Sequence, residues 1–106
     1  MTTSLTGTQK KFLKGLAHSL DPVVRLGTGG LSTPVVQKTS QELEAHELIK
    51  VKIGDGNTDP TETLIGLLAE ATQATVVQVI GHVGILYKRR KKDATIVLPK
   101  PAKAAE

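Results

Sequence analysis

The segment ELIKVKIG, residues 47–54, constrains the fold more than any other part of the chain. Its period-2 alternation puts Ile49, Val51 and Ile53 on one face and Lys50 and Lys52 on the other. That pattern predicts a half-buried strand with a basic outer surface. Such a strand needs a sheet to belong to and helices to cover its apolar side.

The flanking segments supply both. Residues 5–20, LTGTQKKFLKGLAHSL, read as a helix in which Thr6 and Gln9 have capping-box spacing. Phe12, Leu13, Leu16 and Leu20 form its expected apolar stripe, with Lys10, Lys11, Lys14 and His18 opposite. Pro22 ends it, and Val23–Leu26 reads as a short strand. A second helix is expected from Ser32 or Thr33 through Glu47, with Pro34 in its first turn, where the missing N–H is no loss. After the loop GDGNTDP comes a third helix, expected to be capped by Asp59 and to bury Leu64, Ile65, Leu67, Leu68 and Ala71. TVVQVIG and GILYK then read as two strands joined by GHVG in a hairpin. ATIVLP, residues 94–99, is a candidate edge strand. The order α-β-α-β-α-β-β predicts an α/β chain of the α+β two-layer type. Residues 1–99 are expected to form a single domain and residues 100–106 a flexible tail.

Charge is segregated along the chain. Residues 1–52 carry seven Lys/Arg against four Asp/Glu, residues 53–87 none against four, and residues 88–106 seven against two. A basic and an acidic face are therefore expected, and a basic face favours a polyanionic partner. No apolar run reaches the roughly 18 residues of a membrane span. The start MTTSLTGTQKK lacks the apolar core of a signal peptide. Cysteine is absent, which excludes disulfide and thiolate chemistry and fits a cytoplasmic location.

Three glycines within four positions interrupt the stretch RLGTGGLSTPVV, residues 25–36. A strand, then glycines, then a helix N-terminus can receive an anion on backbone N–H groups, while a tight turn is the plainer account. A Walker A loop is excluded because Leu31 follows Gly30 where Lys is required, and a dinucleotide fingerprint fails at Ser32. The D-x-N-x-D series Asp55, Asn57, Asp59 lacks the glycine and terminal carboxylate of a calcium loop and reads better as a turn with a helix cap. His18, His46 and His82 have no metal-ligand spacing, no G-x-S-x-G elbow is present, and no acid–base pair stands out. No metal, cofactor or catalysis is expected. What remains is a clamp on a nucleic-acid backbone, formed by Gly27, Thr28, Gly29 and Gly30. Lys10, Lys11, Lys14, Arg25, Lys88, Arg89, Arg90, Lys91 and Lys92 are expected to gather with that loop into one cradle. Phe12 and Tyr87 are the only aromatics, which disfavours base stacking on a sheet and leaves recognition of backbone and shape, with RNA ahead of DNA. A nucleotide-using enzyme and a module that binds ribosomal proteins are the rival readings.

The segments LKGLAH (13–18), PVVRLGTGGL (22–31), HELIKVKI (46–53) and VVQVIG…LYK (76–88) resemble the bacterial YhbY family, the stand-alone form of the CRM domain. That domain is named for chloroplast RNA splicing and ribosome maturation. The resemblance runs collinearly over residues 5–99. It implies an RNA-binding domain that associates with rRNA of large-subunit precursors, and a monomer is expected. It also implies a four-stranded mixed sheet similar to the C-terminal domain of translation initiation factor three. The family's GxxG loop falls on Gly27–Gly30, and its basic positions on Lys14, Lys50, Lys52 and the cluster after Tyr87. Gly29 is an additional glycine within that loop.

Overall fold

The computed structural model describes residues 5–27, 29–57, 59–90 and 96. The elements follow the expected order: α1 (Gly7–Ala17), β1 (Pro22–Leu26), α2 (Thr33–His46), β2 (Leu48–Ile53), α3 (Thr61–Thr72), β3 (Thr75–Ile80) and β4 (Val83–Tyr87). The sheet is mixed and four-stranded, in the order β1-β2-β4-β3. β1 and β2 are parallel, joined by the crossover helix α2, and β4 runs antiparallel to both of its neighbours. The candidate strand in residues 94–99 and the tail 100–106 lie outside the described residues.

Helices cover both faces, so the helical layer expected on one side divides into two. Leu13 and Ala17 of α1 pack on Leu48, Val77, Ile85 and Tyr87. On the other face α2 and α3 bury Leu43, Leu64, Ile65 and Leu68 against Ile49, Val51 and their neighbours. The alternation of β2 is what makes this possible, since its even-numbered residues face α1 and its odd-numbered ones face α2 and α3. A bulge between Val76 and Gln78 shifts the β3–β4 register and sets Gln78 opposite Ile85, while Val77 packs in the α1-side core.

The capping box of α1 is complete: Gln9 N–H donates to Thr6 Oγ1 and Thr6 N–H to Gln9 Oε1, both at 3.1 Å. Its buried stripe is narrower than expected. Leu13 and Ala17 face the sheet, while Phe12, Leu16 and Leu20 stay 38%, 42% and 37% exposed along one flank. α3 is capped by Pro60 rather than Asp59, with no side-chain hydrogen bond, and its Leu67 is exposed. The β3–β4 link is the two-residue turn Gly81-His82, with Gly81 at φ +58°, which leaves Gly84 inside the strand.

Gly84 has a packing reason to be glycine. A Cβ built there would overlap the side chain of Ile65, with Cγ1 at 2.6 Å and Cγ2 at 2.8 Å. The bare backbone lets α3 lie close on β4. Gly84→Ala is therefore expected to destabilise the fold by about 1–3 kcal/mol. Urea unfolding should show a lower midpoint at unchanged slope.

Candidate nucleic-acid interface

The loop that joins β1 to α2 needs only one of its glycines. Gly30 N–H closes the turn on Gly27 O at 3.0 Å, and Gly30 stands at φ +67°, where a side chain is strained. A Cβ on Gly30 would also touch Asn57 Oδ1 at 3.4 Å, whereas one on Gly27 or Gly29 would meet nothing within 4 Å. Turn geometry thus accounts for Gly30 and leaves Gly27 and Gly29 unexplained. Thr28 lies outside the described residues. Asn57 braces the loop from the side: its Nδ2 donates to Gly27 O at 3.1 Å and to Gly54 O at 3.0 Å. This is the role of the middle residue of the calcium-like series, and sequence reasoning missed it. Ser32 caps α2, its Oγ accepting from Val35 N–H at 3.4 Å.

Two cations stand at this end of the sheet, and four more lie on its α1 side. Arg25 and Lys52 are register partners on β1 and β2, both exposed. Lys50 lies one pleat back, and its Nζ reaches the carbonyl of His18 at the end of α1, 3.4 Å away. On α1 itself, Lys10 and Lys14 occupy the flank opposite Leu16, with Lys11 on the outward surface. Among the described residues no carboxylate pairs with any of these six cations; the ion pairs found join Glu42 to Lys38 and to His46 on α2. Like charges directly opposite on neighbouring strands oppose folding. The Arg25–Lys52 pair is thus held in place against a local cost.

Lys88, Arg89 and Arg90, the described part of the basic run after Tyr87, are elsewhere, which corrects the expectation of a single cradle. Leu48 pairs with Tyr87, so β4 ends where β2 begins, a strand length of about 17–20 Å from the glycine loop. There Lys88 Nζ donates to Thr72 O at 3.0 Å and Arg90 Nη1 to Glu44 O at 3.2 Å. These two cations satisfy carbonyls near the C-terminal ends of α3 and α2. Arg89 is exposed; Lys91 and Lys92 lie outside the described residues. Antiparallel pairing of β4 on β2 is the physical reason for the separation.

Glu47 organises that far end. It follows α2 at φ +66° and is fully buried, a position where an acid is rare. Its Oε2 accepts from Arg90 N–H at 2.9 Å and its Oε1 from Ile96 N–H at 3.0 Å, while its carbonyl accepts from Lys88 N–H at 2.8 Å. Burial raises the Tyr87 pKa above its ordinary value; the Glu47 carboxylate adds to the rise and Arg89 opposes it. Nothing in the sequence separates Glu47 from the solvated Glu42 and Glu44.

Among the described residues no group of His, Asp or Glu could hold a metal ion, and no helix is long and apolar enough to cross a membrane.

The class is a small α/β domain built on one mixed sheet, with a β-α-β unit whose first turn is bare and whose α1-side face is cationic. Residues 5–88 match the CRS1 / YhbY (CRM) domain, and the chain belongs to that family. It is 44% identical over 98 residues to a Haemophilus influenzae protein named "RNA-binding protein", covering 92% of this chain and 98% of the relative. It is 36% identical over 95 residues to the Bacillus subtilis "Probable RNA-binding protein YqeI", covering 90% and 99% of the two chains. The solution structure of the hypothetical protein SAV1595 from Staphylococcus aureus matches with a TM-score of 0.77 and 40% identity, over 91% of this chain and all of that one.

Proposed function

We propose that the protein binds RNA without catalysing a reaction, and that it serves assembly of the large ribosomal subunit by associating with rRNA of its precursors. It acts as a cytoplasmic monomer. The observation that carries this reading is the pair Gly27 and Gly29, whose missing side chains leave open space beside Arg25 and Lys52, cations without a carboxylate partner among the described residues. A phosphate can approach the backbone there as it could not past a Cβ, and the cations supply the attraction. Family membership and the names of the relatives support the same polyanion.

Titrating a large-subunit precursor fragment at several salt concentrations tests it. The logarithm of affinity should fall against the logarithm of salt by about 0.7 per phosphate neutralised on single-stranded RNA. Gly29→Asp should weaken binding at least tenfold while preserving the fold, because it sets a carboxylate where a phosphate would sit and its Cβ meets no atom within 4 Å. Gly30→Asp does not serve as such a test, since its positive φ would strain any side chain. A flat salt dependence, or stabilisation by mononucleotides instead of RNA, would overturn the reading. Cross-linked RNA recovered from cells should be enriched in large-subunit precursor sequences; enrichment in unrelated transcripts would refute the assignment to ribosome assembly.

A further inference from the structure

Three basic side chains from three separate elements meet in one open cleft on the rim of the sheet. Arg25 comes from β1, Lys52 from β2 and His82 from the β3–β4 turn, and Gly54 and Asp55 complete the lining. The cleft holds about 420 Å³, within the size range of small-ligand sites. Its placement is rigid. Ile53 N–H donates to His82 O at 2.7 Å, which ties the turn to the end of β2. Gly54 N–H donates to Leu26 O at 2.8 Å, which ties the same end to β1. A Cβ on Gly54 would approach Leu26 O to 2.9 Å, so the floor of the cleft admits no side chain there.

Arg25 and Lys52 have no carboxylate partner among the described residues, although the register sets them opposite one another. The His82 ring contacts Thr61 Oγ1 through Nδ1 at 3.5 Å, which leaves Nε2 directed elsewhere. Asp55 is the one acid in the lining, and it is exposed.

We infer that Arg25, Lys52 and His82 form a binding site for a single phosphate group, distinct from the Gly27–Gly30 loop. A guanidinium offers a planar fork of donors, an ammonium a compact charge and an imidazole a directed N–H, and together they enclose a tetrahedral anion from three sides. In the setting of the proposed function, on which this inference rests, the phosphate belongs to RNA. Asn57 bonds both Gly54 O and Gly27 O, so cleft and loop form one continuous rim along which a strand can lay neighbouring phosphates.

Amide NMR of the whole chain titrated with inorganic phosphate reads the site directly. The largest shifts are expected at Arg25, Lys52–Asp55 and His82; equal small shifts at Lys11 and Arg89 would overturn the site. In RNA titrations Arg25→Gln and Lys52→Gln should each weaken binding about tenfold and reduce the salt slope by about 0.7. Their double variant should lose little more than either one, because both serve one phosphate. Asp55→Asn should strengthen binding, since it removes the only negative charge among the described residues of the cleft lining. Comparing 5′-phosphorylated with 5′-hydroxyl oligonucleotides separates the sources: a preference for the former assigns a terminal phosphate, and equal affinity a backbone one. If Lys52→Gln and His82→Gln bind like the wild type while Gly29→Asp loses affinity, the cleft falls and the RNA-binding reading stands. If the wild type shows no salt-dependent RNA binding at all, both fall together.

Discussion

Glu47→Ala is expected to destabilise the protein by about 3–5 kcal/mol, the largest effect of any single side chain outside the apolar core. The carboxylate is fully buried and accepts two backbone N–H groups, Arg90 at 2.9 Å and Ile96 at 3.0 Å. Removing it strands both donors away from water. Glu47→Gln should cost less, because one amide oxygen still accepts. Glu47→Gly separates the two contributions at this position: it relieves the φ of +66° but still lacks the acceptors, so it should be only about 1 kcal/mol better than alanine. Urea unfolding measures each. Tyr87, the only tyrosine, reports the same change by ultraviolet titration. Losing the carboxylate should lower its pKa, since Glu47 is one of the two influences that raise it. The raised pKa stabilises the wild type fully below the ordinary tyrosine range, and that contribution disappears as pH rises through the folded-state value. A loss below about 1 kcal/mol, with the Tyr87 titration unmoved, would show that Glu47 does not hold this end together.

The second large effect concerns affinity. Lys14→Glu, Lys50→Glu and Lys52→Glu combined should weaken RNA binding at least about 100-fold at 0.1 M salt, with a slope shallower by about 2, if each serves one phosphate. Lys50 and Lys52 sit on the α1 face of the sheet and Lys14 on α1 itself, and Lys50 alone is partly buried, reaching His18 O. Circular dichroism should therefore show the wild-type fold. Arg89→Glu at the opposite end is expected to change affinity by only about two- to threefold, a single exposed charge at long range. If Arg89→Glu is the more damaging change, the interface lies at the β4 end and not beside the glycines.

Much of this arrangement is legible in the chain because it is local. The alternation in residues 47–54 assigns every β2 side chain to its observed face, and the Thr6–Gln9 spacing marks the start of α1. What escapes reading depends on pairing between distant segments. Only the strand order reveals that Lys88 and Arg90 end up on helix carbonyls far from Gly27. Phe12, Leu16 and Leu20 share a stripe with Leu13 on paper, but the sheet is reached through Leu13 and Ala17. Gly27, Gly29 and Gly30 are identical letters; their dihedrals and surroundings separate the one required by the turn from the two that are not. The acid at Glu47 is a surface residue by composition and an internal fastener by position.

The two helical layers also differ in sign. α3 and its flanking loop, on the far side from α1, belong to the stretch of residues 53–87 that holds four acids and no Lys or Arg. A body polarised in this way feels a torque in the field of a polyanion and rotates its lysine-bearing side forward before contact. Productive encounters then outnumber random ones, and added salt slows arrival as well as loosening the grip.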